Sequence, residues 1–249
     1  MDAQPLRSRL PINLITGLVF VFIAGVGFYV ATTPAPAIVR DLRDLPEVAR
    51  VDFTGPEDPA LAVVHIRDVH LPPKEQAAVE GLDYPTLLRQ VDWVQRDQME
   101  IMRYLIRRHA VKAVFSEGLS KDNMAGLTIR LDMLRDMATL ERLGKLDASE
   151  LRQQNEITLT VGTVGRLVLA KEIDHALPLE DEAALQDAKP VAGGKIAPDD
   201  AKIQARRRAM VRNLPTSGLA VVILGSHDLG PYLPAGTLYV RVTPRSYSE

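Results

Sequence analysis

The chain contains no cysteine. Disulfides, thiol nucleophiles, iron–sulfur clusters, thiolate zinc sites and covalent haem attachment are thereby excluded together. The compartment stays open, because a chain of this size can fold in an oxidising space without disulfides. A surplus of either charge is also missing: 30 Lys and Arg against 32 Asp and Glu leave a formal charge of -2. Phosphate binding needs a concentrated excess of Lys and Arg, so this balance argues against a nucleic-acid partner. No HExxH helix motif, EF-hand loop, GxSxG elbow or GxxxxGK(S/T) loop occurs, and there is no internal repeat. Zincin, serine-hydrolase and P-loop readings therefore have no support.

What is present is a chain of 249 residues, 46% hydrophobic and 25% charged, enough for one or two domains with a real core. Residues 12–31 (INLITGLVFVFIAGVGFYVA) carry no charge. As a helix the run is about 30 Å long, the thickness of a bilayer's hydrocarbon core. A cleaved signal peptide is the competing reading, but its apolar region would be about 7–15 residues, so the run reads as an uncleaved anchor. Arg7 and Arg9 precede it. By the positive-inside rule they keep residues 1–11 in the cytoplasm and send the remainder across the membrane. No second run of that length follows. The expectation is a single-pass protein, its partner the lipid bilayer through residues 12–31, its C-terminal domain in the periplasm or otherwise extracytoplasmic.

Residues 32–48 read as a Pro-containing tether, and residues 49–249 as an extracytoplasmic α/β domain. LAVVHI at 61–66, VKAVF at 111–115 and VVIL at 221–224 are short apolar runs rich in β-branched residues, the mark of buried parallel strands. Leu87, Val91, Val94, Ile101 and Leu105 recur at helical spacing between the first two. Further helices are expected over 122–143 and from 198 to 214, with LYVRV at 238–242 as an edge strand and 181–200 as a mobile loop. Strands separated by helices predict a mostly parallel sheet flanked by helices.

Ligands of an open parallel sheet bind beyond the carboxyl ends of its strands. There the sequence sets Asp68 and His70 after the first run, Glu117 after the second, and His227 and Asp228 after the third. If the strands are neighbours, these five residues share one cleft. A histidine near neutral pH serves as a general base, and a carboxylate orients it. The same groups supply nitrogen and oxygen ligands for a divalent metal, with His70, Glu117 and His227 the set to expect. Each carboxylate taken singly also suits a helix cap. His65, inside the apolar run and of opposite parity to His70, reads as a satisfied core histidine. His109, ending the long helix, reads as structural. His175 stands in EIDHALPLED, a segment that leads into a further strand.

Asp68-Val69-His70, the strand-end Glu117, the helix segment Arg206-Arg207-Arg208-Ala209-Met210-Val211-Arg212-Asn213 and the turn Gly225-Ser226-His227 occur in that order. The order resembles a superfamily comprising erythromycin-esterase-like enzymes, ChaN-like haem-binding lipoproteins and TraB/Tiki proteins, and it covers roughly residues 60–230. Arg67-Asp68 stands where that pattern has Gly-Glu, Arg207 where it has an acidic residue, and the closing turn is one residue shorter than the Tiki form. The resemblance implies hydrolysis of an ester or peptide bond, with His70 as base, Asp68 or Glu117 orienting it, His227 as second base and Arg206 holding an anionic group. It also admits a divalent metal or a noncovalent haem. The alternative is a noncatalytic accessory subunit of an inner-membrane complex. Gly17, Ala24, Gly25 and Gly27 would let the anchor pack closely against another membrane protein.

Overall fold

The computed structural model describes residues 35–188 and 200–248. The apolar run 12–31 lies outside them. Among the described residues no helix is long and apolar enough to cross a membrane. Six strands, β1 (Val48–Thr54), β2 (Leu61–Arg67), β3 (Ala113–Ser120), β4 (His175–Glu180), β5 (Gly218–Leu224) and β6 (Leu238–Pro244), form one sheet in the order β1-β6-β2-β5-β3-β4. Only β1 runs antiparallel, to β6; the other pairings are parallel. This is the mostly parallel α/β sheet expected from the alternation of strands and helices.

The central strands are apolar because both their faces are covered. On one face Leu61 and Val63 of β2, Ala220, Val222 and Leu224 of β5 and Leu179 of β4 meet Met210 and Leu214, from and just after α7 (Asp200–Asn213). Residues of opposite parity, Val64, Ile66, Val221 and Ile223, are as deeply buried on the other face. There lie α3 (Tyr84–His109) and α5 (Ala148–Leu169), which pack on each other. Pro85 in its first turn and a left-handed Ala110 (φ 52°) bound α3. Its buried Val91, Val94, Ile101, Met102 and Leu105 each contribute about 1.5–3 kcal/mol through burial. The remaining helices are α1 (Ala37–Arg43), α2 (Lys74–Val79), α4 (Met124–Arg142) and α6 (Glu182–Asp187).

Several expectations are corrected. LYVRV is not an edge strand. It forms most of β6, which lies between β2 and β1, and β1 was not legible beforehand. Part of the tether is helical: α1 buries Ile38, Val39 and Leu42, so the folded unit begins at Pro36. The loop expected over 181–200 opens with α6, and its residues 189–199 lie outside the described ones. A helix absent from the expectation, α5, starts with a capping box in which Asp147 accepts from the backbone of Ser149 and Glu150. It is interrupted at Gly162 (φ 67°, ψ -174°), a conformation only glycine adopts readily.

Candidate functional site

Because β2, β5 and β3 are neighbours, their carboxyl ends open side by side, and β4 adds a fourth. Asp68 follows β2, and its backbone N–H still donates to Leu224 O at 3.0 Å, so the chain leaves the sheet in register with β5. Two residues on, His70 turns back over the strand ends. Its Nε2 lies 2.8 Å from Glu117 Oε2 and its Nδ1 3.3 Å from Asp68 Oδ2. Glu117 sits where the β3–β4 pairing slips between Ser116 and Ser120.

Glu117 is the hub. Oε2 also accepts from Gly225 N at 2.7 Å, and Oε1 accepts from Arg206 Nη2 at 3.0 Å. A Cβ at position 225 would lie 3.2 Å from Glu117 Oε2 and 3.4 Å from His70 Nε2, so the glycine of the Gly-Ser-His turn permits this approach. Arg206, delivered by α7, forks onto Glu180 through Nε at 3.1 Å and through Nη2. Its Nη1 lies 2.9 Å from His227 Nε2. Arg207 Nε stands 3.4 Å from the other ring nitrogen of His227. A neutral imidazole accepts from only one of these two arginines at a time.

Charge alternates along the network: Asp68, His70, Glu117, Arg206, Glu180. Burial opposes a charged His70, yet hydrogen bonds to Asp68 and Glu117 outweigh it and raise its pKa to about 11. Glu117 is likewise buried, and His70, His227 and the Gly225 N–H hold its carboxyl well below the ordinary range. His227 goes the other way: burial lowers its pKa, and Arg206, Arg207 and His70 add to the shift against Glu117. At neutral pH the cleft therefore presents a cationic His70 and a neutral His227. The ring expected to act as base meets a carboxylate at each of its nitrogens. A ring with a carboxylate at each nitrogen is already protonated, and the nitrogen able to take a proton belongs to His227.

The structure thus brings together Asp68, His70, Glu117, Arg206 and His227. It turns Asp228 away: Oδ1 accepts from Gly230 N, and the residue lines a separate cavity of about 290 Å³ with Asp52, Tyr239 and Arg241. His65 is the satisfied core histidine expected, its Nε2 2.8 Å from Leu224 O and its Nδ1 2.6 Å from Tyr239 Oη. His175 is exposed at the start of β4. Two members escaped the sequence reading. Glu180, its side chain fully buried, ends β4, so the strand-end rule would have found it had that strand been placed. Gln98, buried on α3, donates from Nε2 to Asp68 Oδ1 and to Arg67 O, both at 2.8 Å.

Neither a metal nor a haem fits this donor set. Among the described residues no three His, Asp or Glu side chains are grouped to hold a metal ion. The Arg206 guanidinium stands where Glu117 and Glu180 would share a cation. Both nitrogens of His70 face carboxylates, and a metal ion at His227 would have to stand against the Arg206 and Arg207 guanidinium groups. Comparison of the chain with protein-family models, curated proteins and solved structures finds no match in any of the three.

Proposed function

We propose that this cleft is a hydrolase-like site for an ester or peptide bond, in a domain held outside the cytoplasm by the anchor at residues 12–31. The superfamily of erythromycin-esterase-like, ChaN-like and TraB/Tiki proteins is the lineage that the ordered motifs suggest. One observation carries the reading: an acidic and a basic imidazole partner, His70 and His227, share Glu117 at the mouth of a parallel sheet. His70 is the outermost member, its side chain 53% exposed.

In this scheme water adds to the carbonyl carbon and loses a proton to His227. Arg206 Nη1 leaves His227 for the developing oxyanion, which frees the ring nitrogen at the moment it is needed. The C–O or C–N bond then breaks as His70 gives its proton to the leaving group. Solvent exchange returns the proton from His227 to His70. Glu117 stays ionised throughout and holds both imidazoles in place. A panel of ester and peptide substrates, tested on the full-length chain in detergent with His70→Ala and His227→Ala beside it, decides the matter. Each variant should lose about 10²–10⁴-fold in rate; equal activity in all three removes the proposal.

A second reading, an accessory subunit of an inner-membrane complex, is favoured by the internal saturation of the network. Glu117 and Glu180 are both matched within the chain, so the cluster also staples the ends of β2, β3, β4 and β5 to α7. Gentle extraction followed by native mass spectrometry would show a stoichiometric partner. Full assembly with a His70→Ala/His227→Ala double variant would favour this reading over catalysis. Intact mass of the extracted protein tests the anchor: a mature chain starting near residue 38 would mean a cleaved signal.

A further inference from the structure

We propose that Gln98 is a positioning residue of the cleft: its amide fixes Asp68 against His70, and Thr163 fixes the amide. The inference rests on the reading of His70 as a working group of the site. Gln98 is fully buried on α3, and its two amide ends face opposite environments. Nε2 meets two oxygens at 2.8 Å, Asp68 Oδ1 and the Arg67 carbonyl. Oε1 meets the Thr163 hydroxyl, which donates to it at 2.5 Å. A flipped amide would set an oxygen against two oxygens, so only one orientation is allowed. Asp68 therefore has one carboxylate oxygen held from below by Gln98, which leaves Oδ2 to face His70 Nδ1.

Thr163 reaches the amide because of the break in α5. Gly162 leaves helical geometry immediately before it, and Gln95, one turn before Gln98 on α3, donates to the Leu159 carbonyl beside the break at 2.8 Å. The two buried glutamines thus have separate tasks. Gln95 ties α3 to the interrupted helix and accepts from Arg166, while Gln98 carries the connection on to the cleft. His70 itself faces Asp68 from its own segment and Glu117 from β3, with His227 and Arg206 reaching it through Glu117. Releasing Asp68 removes one of two carboxylates that keep the ring charged.

Diethyl pyrocarbonate tests this without any substrate, since it modifies only the uncharged imidazole. Peptide mapping of the full-length chain in detergent at pH 7 would give the rate at His70 relative to the exposed His175. The native chain should react at His70 at least about tenfold more slowly than at His175, although His70 is half-exposed. Gln98→Leu should raise the ratio about tenfold, and Thr163→Val should raise it by a smaller factor of about three. Thr163→Ser, which keeps the hydroxyl, should restore the native ratio. Gln95→Leu, an equally disruptive loss of a buried amide, should leave it unchanged. A ratio unmoved in Gln98→Leu and Thr163→Val, or raised as much by Gln95→Leu, overturns the proposal. Should Gln98→Leu fail to fold, Thr163→Val against Thr163→Ser decides alone. Absence of hydrolysis would remove the proposed reaction while leaving this result standing.

Discussion

His65 and His70 are five positions apart, and their surroundings shift their pKa values in opposite directions. His65 lies inside β2, 1% exposed, between a backbone carbonyl and a phenol, and burial lowers its pKa to about 4. His70 lies past the end of the same strand between two carboxylates, and its pKa rises to about 11. Burial opposes the charge in both. What differs is the partner: a carbonyl and a hydroxyl bond a neutral ring well, whereas two carboxylates make the neutral ring the costly form. The strand end, where ladder hydrogen bonds stop and side chains of neighbouring strands converge, is the place that can supply such partners.

The largest effect should come from removing the hub. Glu117→Ala leaves Arg206 with a single carboxylate and His70 with one, and strands the Gly225 N–H; a loss of about 3–5 kcal/mol is expected in denaturant unfolding. His65→Ala should cost about 2–4 kcal/mol without touching the cleft, because it opens a cavity and removes the ring's hydrogen bonds to Tyr239 Oη and Leu224 O. If the two losses were accompanied by equal changes in His70 reactivity, the separation of the two histidines would be refuted.

Gly225→Ala sharpens the contrast further. The added methyl presses on Glu117 and His70 at 3.2 and 3.4 Å, so about 1–3 kcal/mol of stability should go and the His70–Glu117 contact should lengthen, read by crystallography and thermal melts.

The pH dependence of unfolding separates the pair directly. The raised pKa of His70 contributes stability that is complete below its ordinary 6.5 and fades as pH climbs towards about 11. The lowered pKa of His65 acts in the opposite sense: that stability is complete above 6.5 and is lost as pH falls towards about 4. Glu117 adds a further loss below its ordinary 4.5. Unfolding free energy should therefore peak near 6.5 in a pH series; His70→Ala should flatten the alkaline limb and shrink the loss below 4.5 that Glu117 contributes, while the loss between 6.5 and about 4 from His65 stays. The smallest change belongs to the exposed α5 capping box: Asp147→Ala should lower the melting temperature slightly at neutral pH and leave the alkaline limb unmoved.

The sequence by itself determined the apolar strands, the long helix α3 and the residues that follow each central strand. Period and composition are local properties, and a parallel strand buried on both faces announces itself by an unbroken apolar run. Asp68 and His227 were legible for that reason, and so was Glu117, which follows an apolar run although it lies inside β3. Strand order was not local. LYVRV looked like an edge because its alternation reflects a less uniform environment, but only pairing with β1 and β2 sets its place inside the sheet. Glu180 and Gln98 were hidden for a related reason. One ends a strand that carries a proline and begins at an exposed histidine, and the other is an amide that reads as part of a solvated helix face until α5 packs on α3. Tertiary structure alone also decided which histidine is charged. A pKa follows the groups within hydrogen-bond reach of a ring, and for His70 one of those, Glu117, lies 47 residues away in the chain.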